Sequence, residues 1–124
     1  MKVLLTGATG FIGHYLLQAL RDAGHDVIPT ARTATAGFEL MDFTDPFSVH
    51  DCFVQHRPGV IVHAGGMSKP DDCEQRQWEA YVTNVEGTLN LLVNAEEHRS
   101  FFVLFSTDFV FDGRSGMYRE EDPP

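Results

Sequence analysis

The sequence has few basic residues, few cysteines and no long apolar run. Nine Lys and Arg residues stand against eighteen Asp and Glu residues, so the formal net charge is −9. Such a charge disfavours a nucleic-acid-binding or anionic-membrane surface, although one local pocket can oppose it and hold a single phosphate. Every apolar run is shorter than the roughly 20 residues that a membrane-spanning helix needs. We therefore expect neither nucleic acid nor a membrane among the partners.

Metal-binding and disulfide patterns are also missing. Cys52 and Cys73 are the only cysteines and form no C-x-x-C pair, and the six histidines show no H-x-x-x-H or H-E-x-x-H spacing. A metal site therefore has little support, and we expect none. Two isolated thiols in a chain without a signal peptide are typical of a reduced protein, and we expect a cytoplasmic one.

What the sequence does contain is an alternation of short apolar runs and longer amphipathic stretches. With 124 residues, 43% of them hydrophobic, it has the size of one domain with a real core. Strands are predicted over 2–6, 25–31, 38–43, 59–66 (ending in a glycine turn) and 101–107, and helices over 11–24, 45–56 and 71–98, the last weakened at Gly87. Because this alternation is typical of parallel strands joined by crossovers, the sequence predicts an α/β layer fold.

The stretch TGATGFIG (6–13) follows the first predicted strand and opens the first predicted helix. It places Gly7, Gly10 and Gly13 at G-x-x-G-x-x-G spacing. Such a turn lets a pyrophosphate approach bare backbone, and the helix N-terminus then offers free N–H groups and a favourable dipole to the phosphates. This context predicts a dinucleotide site that includes Phe11 and Ile12. A tight turn with no ligand is the alternative.

The end of the second predicted strand bears on the choice of cofactor. An NAD-selecting site places Asp or Glu about 20 residues beyond the glycines, but the sequence here is TARTAT (30–35), with Arg32 and no acid. A planar guanidinium can pair with the oxygens of an NADP 2′-phosphate. The sequence therefore favours NADP, with NAD possible, and a solvated surface arginine is the alternative interpretation of Arg32.

Seven stretches together give the chain a family resemblance. They are TGATGFIG (6–13), MDFTD (41–45), VIVHAGG (60–66), DDCE (71–74), NVEGTLNL (84–91), STDFVFDG (106–113) and YREEDPP (118–124). The chain resembles the N-terminal part of the extended short-chain dehydrogenases/reductases, and within them the dTDP-4-dehydrorhamnose reductases and the related methionine adenosyltransferase beta subunits. The resemblance implies a Rossmann-type, doubly wound parallel sheet of strand order 3-2-1-4-5, truncated after strand five.

The resemblance also implies further cofactor contacts. Asp42 and Phe43 match the acid–apolar pair that holds the adenine ring. Ala64, Gly65 and Gly66 match the small-residue turn after the fourth strand, where the backbone must pass close to the cofactor. For Asp42 the alternative is a carboxylate that only caps the turn at the strand end.

The substrate side of the site rests on the same resemblance. Asn84 matches an asparagine that shapes the active site, and we count it among the cofactor-binding residues. An ordinary solvent-facing asparagine is its alternative. Thr107 matches the hydroxyl of the Ser/Thr, Tyr and Lys set that orients the substrate carbonyl. Asp108 beside it touches the substrate or orders the site. His63 is predicted to be a core histidine.

The tyrosine and lysine of that set do not occur at Tyr-x-x-x-Lys spacing. None of Tyr15, Tyr81 and Tyr118 has a lysine four residues later, and the resemblance places the motif beyond Pro124. We therefore expect residues 1–124 to be the incomplete NAD(P)-binding Rossmann domain of a longer protein, without its substrate domain. Because the proton donor is missing, we expect this domain to be inactive alone.

The function implied is the cofactor-binding half of an NADP-dependent reductase of a nucleotide-activated 4-keto sugar. A non-catalytic NADP-binding regulatory subunit is one alternative, and a sugar-nucleotide epimerase or dehydratase of the same superfamily is another. The expected partners are the dinucleotide and, in the full-length protein, the nucleotide sugar. The uncharged apolar run at 101–107 would form a sheet edge and also predicts self-association through strand five.

Overall fold

A computed structural model of the chain describes all 124 residues, Met1–Pro124. The strands are β1 (Lys2–Thr6), β2 (Asp26–Ala31), β3 (Glu39–Leu40), β4 (Val60–His63) and β5 (Phe101–Leu104). The helices are α1 (Phe11–Asp22), α2 (Pro46–His56), α3 (Pro70–Gln75), α4 (Gln77–Tyr81) and α5 (Gly87–Glu97). One turn of π-helix, Val82–Glu86, joins α4 to α5, and a 3₁₀ turn, Asp108–Val110, follows β5.

The five strands form one parallel sheet in the order β3-β2-β1-β4-β5. β1 is central, and its Leu4 pairs with Ile28 on one side and with Ile61 on the other. The strand order reverses between β1 and β4: β2 and β3 are added on one side of β1, and β4 and β5 on the other. The carboxyl ends of β1 and β4 flank this switch point, which is where ligands bind in doubly wound folds. The predicted fold class and strand order are confirmed.

Two apolar clusters cover the two faces of the sheet. The cluster between the sheet and the helices α2 and α5 comprises Leu4, Met41, Val49, Cys52, Phe53, Ile61, Leu91 and Ala95. The cluster on the α1 side comprises Val3, Leu5, Ala8, Leu17 and Val62. Neighbouring residues of one strand belong to different clusters because strand side chains alternate between faces. This explains why the central strands consist of uninterrupted apolar residues.

The prediction of one continuous helix over 71–98 is wrong, because the structure divides this stretch into several helical segments. The chain leaves helical geometry at Arg76 (φ −126°, ψ 54°), forms the short α4, and then widens into the π-helical turn before α5. Gly87, where the sequence predicted the weak point, has ordinary helical backbone. Its small size serves packing instead, because a Cβ there would lie 2.5 Å from Cδ2 of Phe43.

Two strands are shorter than predicted. β3 covers Glu39–Leu40 rather than 38–43, since it lies at the sheet edge and pairs with only two residues of β2. β5 covers Phe101–Leu104 rather than 101–107, because its one neighbour, β4, ends at His63, the partner of Leu104. The longest helix, α1, has twelve residues, and no helix combines the length and apolarity needed to cross a membrane.

The segment after the 3₁₀ turn folds on itself through Tyr118. The Tyr118 ring stacks on Phe111 with centroids 4.6 Å apart, and its hydroxyl donates to Asp112. This hydrogen bond, together with one from the Arg114 backbone N–H, lowers the pKa of the Asp112 carboxyl. Tyr118 is therefore engaged in local structure.

Candidate functional site

The glycine turn after β1 is held by contacts that exclude a side chain. Gly7 has φ +68°, a left-handed conformation that favours glycine. A Cβ on Gly7 would overlap the carbonyl of Ala64, and a Cβ on Gly13 would overlap the carbonyl of Gly7. The two glycines thus bring the end of β4 and the first turn of α1 against the same loop. Gly13 itself is buried beneath the loop and lines neither cavity described below.

The N-terminus of α1 has no side-chain cap. Gly10 is the N-cap residue, its N–H donates to the Gly7 carbonyl at 2.9 Å, and its carbonyl accepts from the His14 N–H at 3.0 Å. The N–H groups of the first helical turn have no acceptor within the helix. These donors and the positive end of the helix dipole suit an anion such as a phosphate. Phe11 and Ile12 on this turn are exposed.

A cavity of about 410 Å³ runs from this turn across the carboxyl ends of β1 and β2. The predicted residues that line it are Gly7, Gly10, Arg32, Asp42, Phe43, Ala64, Gly65 and Gly66. Arg32 directly follows β2, whose last residue is Ala31. The glycine turn, whose backbone suits a pyrophosphate, and the Arg32 guanidinium, which suits a 2′-phosphate, therefore line the same cavity. The lining residues fit an adenine dinucleotide in chemistry and position.

Asp42 makes the turn contacts that the sequence offered as its alternative role. Its Oδ1 accepts from the Thr44 N–H at 2.9 Å and from the Thr44 hydroxyl at 2.7 Å, which forms the local turn. Both bonds use Oδ1, so Oδ2 remains available to a ligand in the first cavity. The turn thus orients the carboxylate that the resemblance assigns to adenine.

Phe43 supports the site from below as well as lining it. Its ring packs edge-on against His63, with centroids 5.1 Å apart, and lies beneath Gly65 and Gly87. A Cβ on Gly65 would be 2.8 Å from Cε1 of this ring. The Phe43 ring by itself therefore leaves no room for a side chain at Gly65.

A second cavity, of about 1010 Å³, lies beyond the first at the carboxyl ends of β4 and β5. It is lined by Phe11, Ile12, Asn84, Thr107 and Asp108 among others. The two cavities share Gly10, Ala64, Gly65, Gly66 and Met67. They therefore form one groove, with Arg32 at one end and the Thr107–Asp108 pair at the other.

Thr107 lies beyond the end of β5, at the N-cap of the 3₁₀ turn, rather than in the strand. Its hydroxyl oxygen accepts from the Phe109 N–H at 3.2 Å, and the hydroxyl donates to Asp108 Oδ1 at 3.3 Å. Both side chains are exposed to the second cavity. A substrate oxygen could replace the long Asp108 contact as acceptor from Thr107.

Asn84 is not a free surface side chain. Although it is exposed, its Oδ1 accepts from the Met67 N–H at 2.8 Å and its Nδ2 donates to the Met67 carbonyl at 2.9 Å. The π-helical turn carries Asn84 to this position, and Gly66 lies so close that a Cβ on it would be 2.9 Å from Oδ1. This pair of hydrogen bonds, here called the Asn84 clamp, fixes the Gly66–Met67 loop, which lines both cavities.

His63 connects the clamp to the sheet. Its ring is buried between the hydroxyls of Thr6, at 2.5 Å from Nδ1, and Thr88, at 3.0 Å from Nε2. Thr88 donates its proton to the Asn84 carbonyl at 2.8 Å, so it accepts from Nε2–H of His63. Burial lowers the pKa of His63 to about 4. The prediction of a core histidine is confirmed.

Some side chains around the first cavity escaped sequence reasoning. Arg76, Glu79 and Thr83 line this cavity from a part of the chain distant from Arg32. The other lining residues that the sequence did not predict are Thr9, Thr30, Ala31, Met41, Thr44 and Met67. The signal in the sequence was a charged pair at i,i+3 within a helical stretch, which ordinarily indicates a solvated face. In the structure the helix breaks at Arg76, and both members of the pair line the groove.

Of the two cysteines only Cys73 lines the groove, and no metal cluster is present. Burial raises the pKa of the Cys52 thiol to about 12, with Glu39 adding to the effect, and Cys73 donates to the Met67 carbonyl at 3.4 Å. No group of three or more His, Cys, Asp or Glu side chains could hold a metal ion. The polar groups of the groove are therefore hydroxyls, amides, carboxylates, two arginines and the Cys73 thiol.

Comparison with known proteins assigns the chain to a family. A family model described as the RmlD substrate binding domain matches residues 1–124. The chain belongs to the RmlD family. Methionine adenosyltransferase 2 subunit beta from Bos taurus is 36% identical to it over 99% of this chain and 37% of that protein. The chain thus spans well under half of the length of this curated relative.

Solved structures agree with the RmlD assignment. A hypothetical dTDP-4-dehydrorhamnose reductase from Sulfolobus tokodaii superposes with a TM-score of 0.91 at 36% identity, over 100% of this chain and 45% of that one. The dTDP-4-dehydrorhamnose reductase from Bacillus anthracis, solved in complex with NADP, gives a TM-score of 0.81 at 31% identity over 90% of this chain and 38% of that one. The resemblance stated from the sequence motifs is confirmed.

Proposed function

We propose that the chain is the dinucleotide-binding part of an NADP-dependent reductase of a nucleotide-activated 4-keto sugar. The observation that carries this proposal is the continuous groove, in which a phosphate-binding helix start and an arginine at one end meet a hydroxyl–carboxylate pair at the other. A dinucleotide has the same layout, with an adenosine end and a reactive end joined by a pyrophosphate. Bound NADPH would supply the hydride.

At the adenosine end, groups of this chain would bind the cofactor and orient it. The uncapped N–H groups after Gly10 would receive the pyrophosphate. Arg32 would pair with the 2′-phosphate through its planar fork. Asp42 would use Oδ2 to accept from the exocyclic amine of adenine while Oδ1 keeps its turn. The Bacillus anthracis relative, solved with NADP, supports the choice of this cofactor.

At the reactive end Thr107 would orient the substrate carbonyl. Its hydroxyl hydrogen bond would move from Asp108 to the substrate oxygen, and Asp108 would then contact a sugar hydroxyl. None of the three tyrosines lines the second cavity. We therefore propose that this chain binds the cofactor and positions the substrate carbonyl without providing the proton, and so without turnover on its own.

A non-catalytic NADP-binding regulatory subunit is the second candidate. The 36% identity to the Bos taurus methionine adenosyltransferase subunit favours it, because that relative is a subunit of another enzyme. In this case Arg32 and the glycine turn would keep their roles, while Thr107 and Asp108 would contact no sugar. The two candidates therefore share the cofactor site and differ only at the second cavity.

Calorimetric titration separates these possibilities. NADPH should bind in preference to NADH for either candidate, and equal affinities or no binding would contradict both. A dTDP-linked 4-keto-6-deoxy sugar is then titrated into the NADP⁺ complex of the full-length protein, in which we expect the substrate domain. Binding that Thr107→Val weakens supports the reductase. Binding of the catalytic subunit of a methionine adenosyltransferase, without sugar binding, would instead support the regulatory subunit.

A further inference from the structure

We propose that Arg76 is a second ligand for the cofactor's 2′-phosphate, and that Glu79 holds it aside when no phosphate is present. The inference rests on the proposed NADP function and deepens it. Arg76 and Arg32 are the only basic residues that line the first cavity. They belong to different walls, since Arg32 follows β2 and Arg76 lies between α3 and α4.

The backbone of Arg76 is fixed although its side chain is exposed. Its N–H donates to the Asp72 carbonyl at 3.0 Å, and its carbonyl accepts from the Ala80 N–H at 2.9 Å. Arg76 is therefore both the C-cap residue of α3 and the N-cap residue of α4. Because both ends are anchored, the guanidinium can change partners without any movement of the two helices.

The present partners of the guanidinium are replaceable. Its Nη1 lies 3.2 Å from both carboxylate oxygens of Glu79, and its Nη2 lies 3.7 Å from Oδ2 of Asp72. The side chains of this triad are about half exposed. Exposed ion pairs of this kind contribute little net stability because water screens them. A phosphate with three oxygens and a larger charge is a stronger acceptor for the same fork.

The charge balance of the cavity calls for a second cation. A phosphate monoester carries about −1.5 to −2 charges at neutral pH, and Arg32 supplies a single positive charge. The same cavity also contains Asp42 and Glu79, in a chain of net charge −9. Without Arg76 the 2′-phosphate would face an excess of negative charge. With Arg76 turned from Glu79 to the phosphate, two guanidinium groups would flank it.

The alternative role for Arg76 is stacking on the adenine ring, which guanidinium groups also do. The two roles differ in one measurable respect. Adenine is common to NADPH and NADH, whereas the 2′-phosphate belongs to NADPH alone. A phosphate ligand therefore affects one cofactor, and a stacking residue affects both.

The test is calorimetric titration of NADPH and NADH into the wild-type protein and the variants Arg76→Ala and Glu79→Gln, with Arg114→Ala as control. Arg114 is an exposed arginine paired with Asp112, and it lines neither cavity. We expect Arg76→Ala to weaken NADPH binding by roughly tenfold or more, as for loss of a charge-assisted contact, with NADH affinity unchanged. Glu79→Gln should strengthen NADPH binding several-fold, and Arg114→Ala should change neither.

The outcomes separate this inference from the function on which it rests. Wild-type protein that binds neither cofactor overturns the proposed function and the inference with it. Wild-type preference for NADPH, with Arg76→Ala weakening both cofactors equally or neither, overturns only the inference. Glu79→Gln keeps the test decisive if Arg76→Ala does not fold, since weaker NADPH binding in that variant would also contradict the exchange of partners.

Discussion

Gly7 lies so close to Ala64 that a methyl group on the glycine would overlap the alanine carbonyl. Gly24 offers a matched comparison, because it also has a positive φ, +80°, but nothing lies within 4 Å of its missing Cβ. Gly24→Ala should cost about 1–2 kcal/mol of unfolding free energy, from left-handed strain alone. Gly7→Ala should cost about 1–3 kcal/mol more, from overlap with the β4 loop. Urea denaturation measures both, and equal losses would mean that the loop adjusts.

Arg32 carries the predicted preference for NADP. Arg32→Ala should weaken NADPH binding by about 1.5–3 kcal/mol, the cost of a charge-assisted phosphate contact. NADH affinity should stay nearly unchanged, because that cofactor has no 2′-phosphate. Arg32→Lys should recover only part of the loss, since an ammonium cannot form the bidentate pair. If the alanine variant keeps the wild-type ratio of affinities, Arg32 is a solvated surface residue.

The Asn84 clamp predicts the exchange behaviour of the Met67 amide. Asn84→Ala removes both hydrogen bonds to Met67, which are 2.8 and 2.9 Å long, at about 0.5–1.5 kcal/mol each. Hydrogen exchange at the Met67 N–H should accelerate in this variant. Asn84→Asp keeps an acceptor oxygen and should preserve most of the protection while losing the donated bond. Unchanged exchange in Asn84→Ala would show that the loop is held by other contacts.

The lowered pKa of His63 predicts that the folded protein loses stability in mild acid. Burial lowers this pKa from 6.5 to about 4, so the unfolded chain binds the proton more readily than the folded one. The contribution of neutral, buried His63 to the unfolding free energy is complete above pH 6.5. It declines as the pH falls toward 4, by an amount on the order of 2–3 kcal/mol. His63→Asn should flatten this part of the pH profile of unfolding free energy. His14→Asn, at an exposed site of α1, controls for histidine removal, and parallel profiles for all three proteins would refute the prediction.

Self-association through strand five remains a prediction. β5 pairs only with β4, and Phe101 and Leu104 on this edge strand are 69% and 51% exposed. An uncharged, apolar edge is a template for pairing with another chain. Light scattering should show an apparent mass that rises with concentration, and Phe101→Lys should suppress the rise. Met117→Lys, at a 99% exposed position outside β5, should not. A monomer at all concentrations would be evidence against association.

The α/β layer fold and the glycine turn after β1 were determined by the sequence itself, whereas the strand order was implied by the family resemblance. The apolar run before Gly7 and the amphipathic period after Gly10 act over a few residues, so spacing along the chain is enough to predict a strand, a turn and a helix. Parallel strands with helical crossovers then have few allowed arrangements. The same local logic led to Arg32, which needs only to follow the end of β2.

Only the tertiary structure decided where the long helical stretch breaks and which way its side chains point. Arg76 turns toward the first cavity, and Asn84 reaches Met67, 17 residues away in the chain. Gly87 looked like a weak point in the helix, yet it is small because the Phe43 ring packs against it. These outcomes depend on contacts between residues far apart in sequence, and no periodicity records them. Helical spacing limits which residues share a face, but the tertiary fold determines which of these residues line the groove.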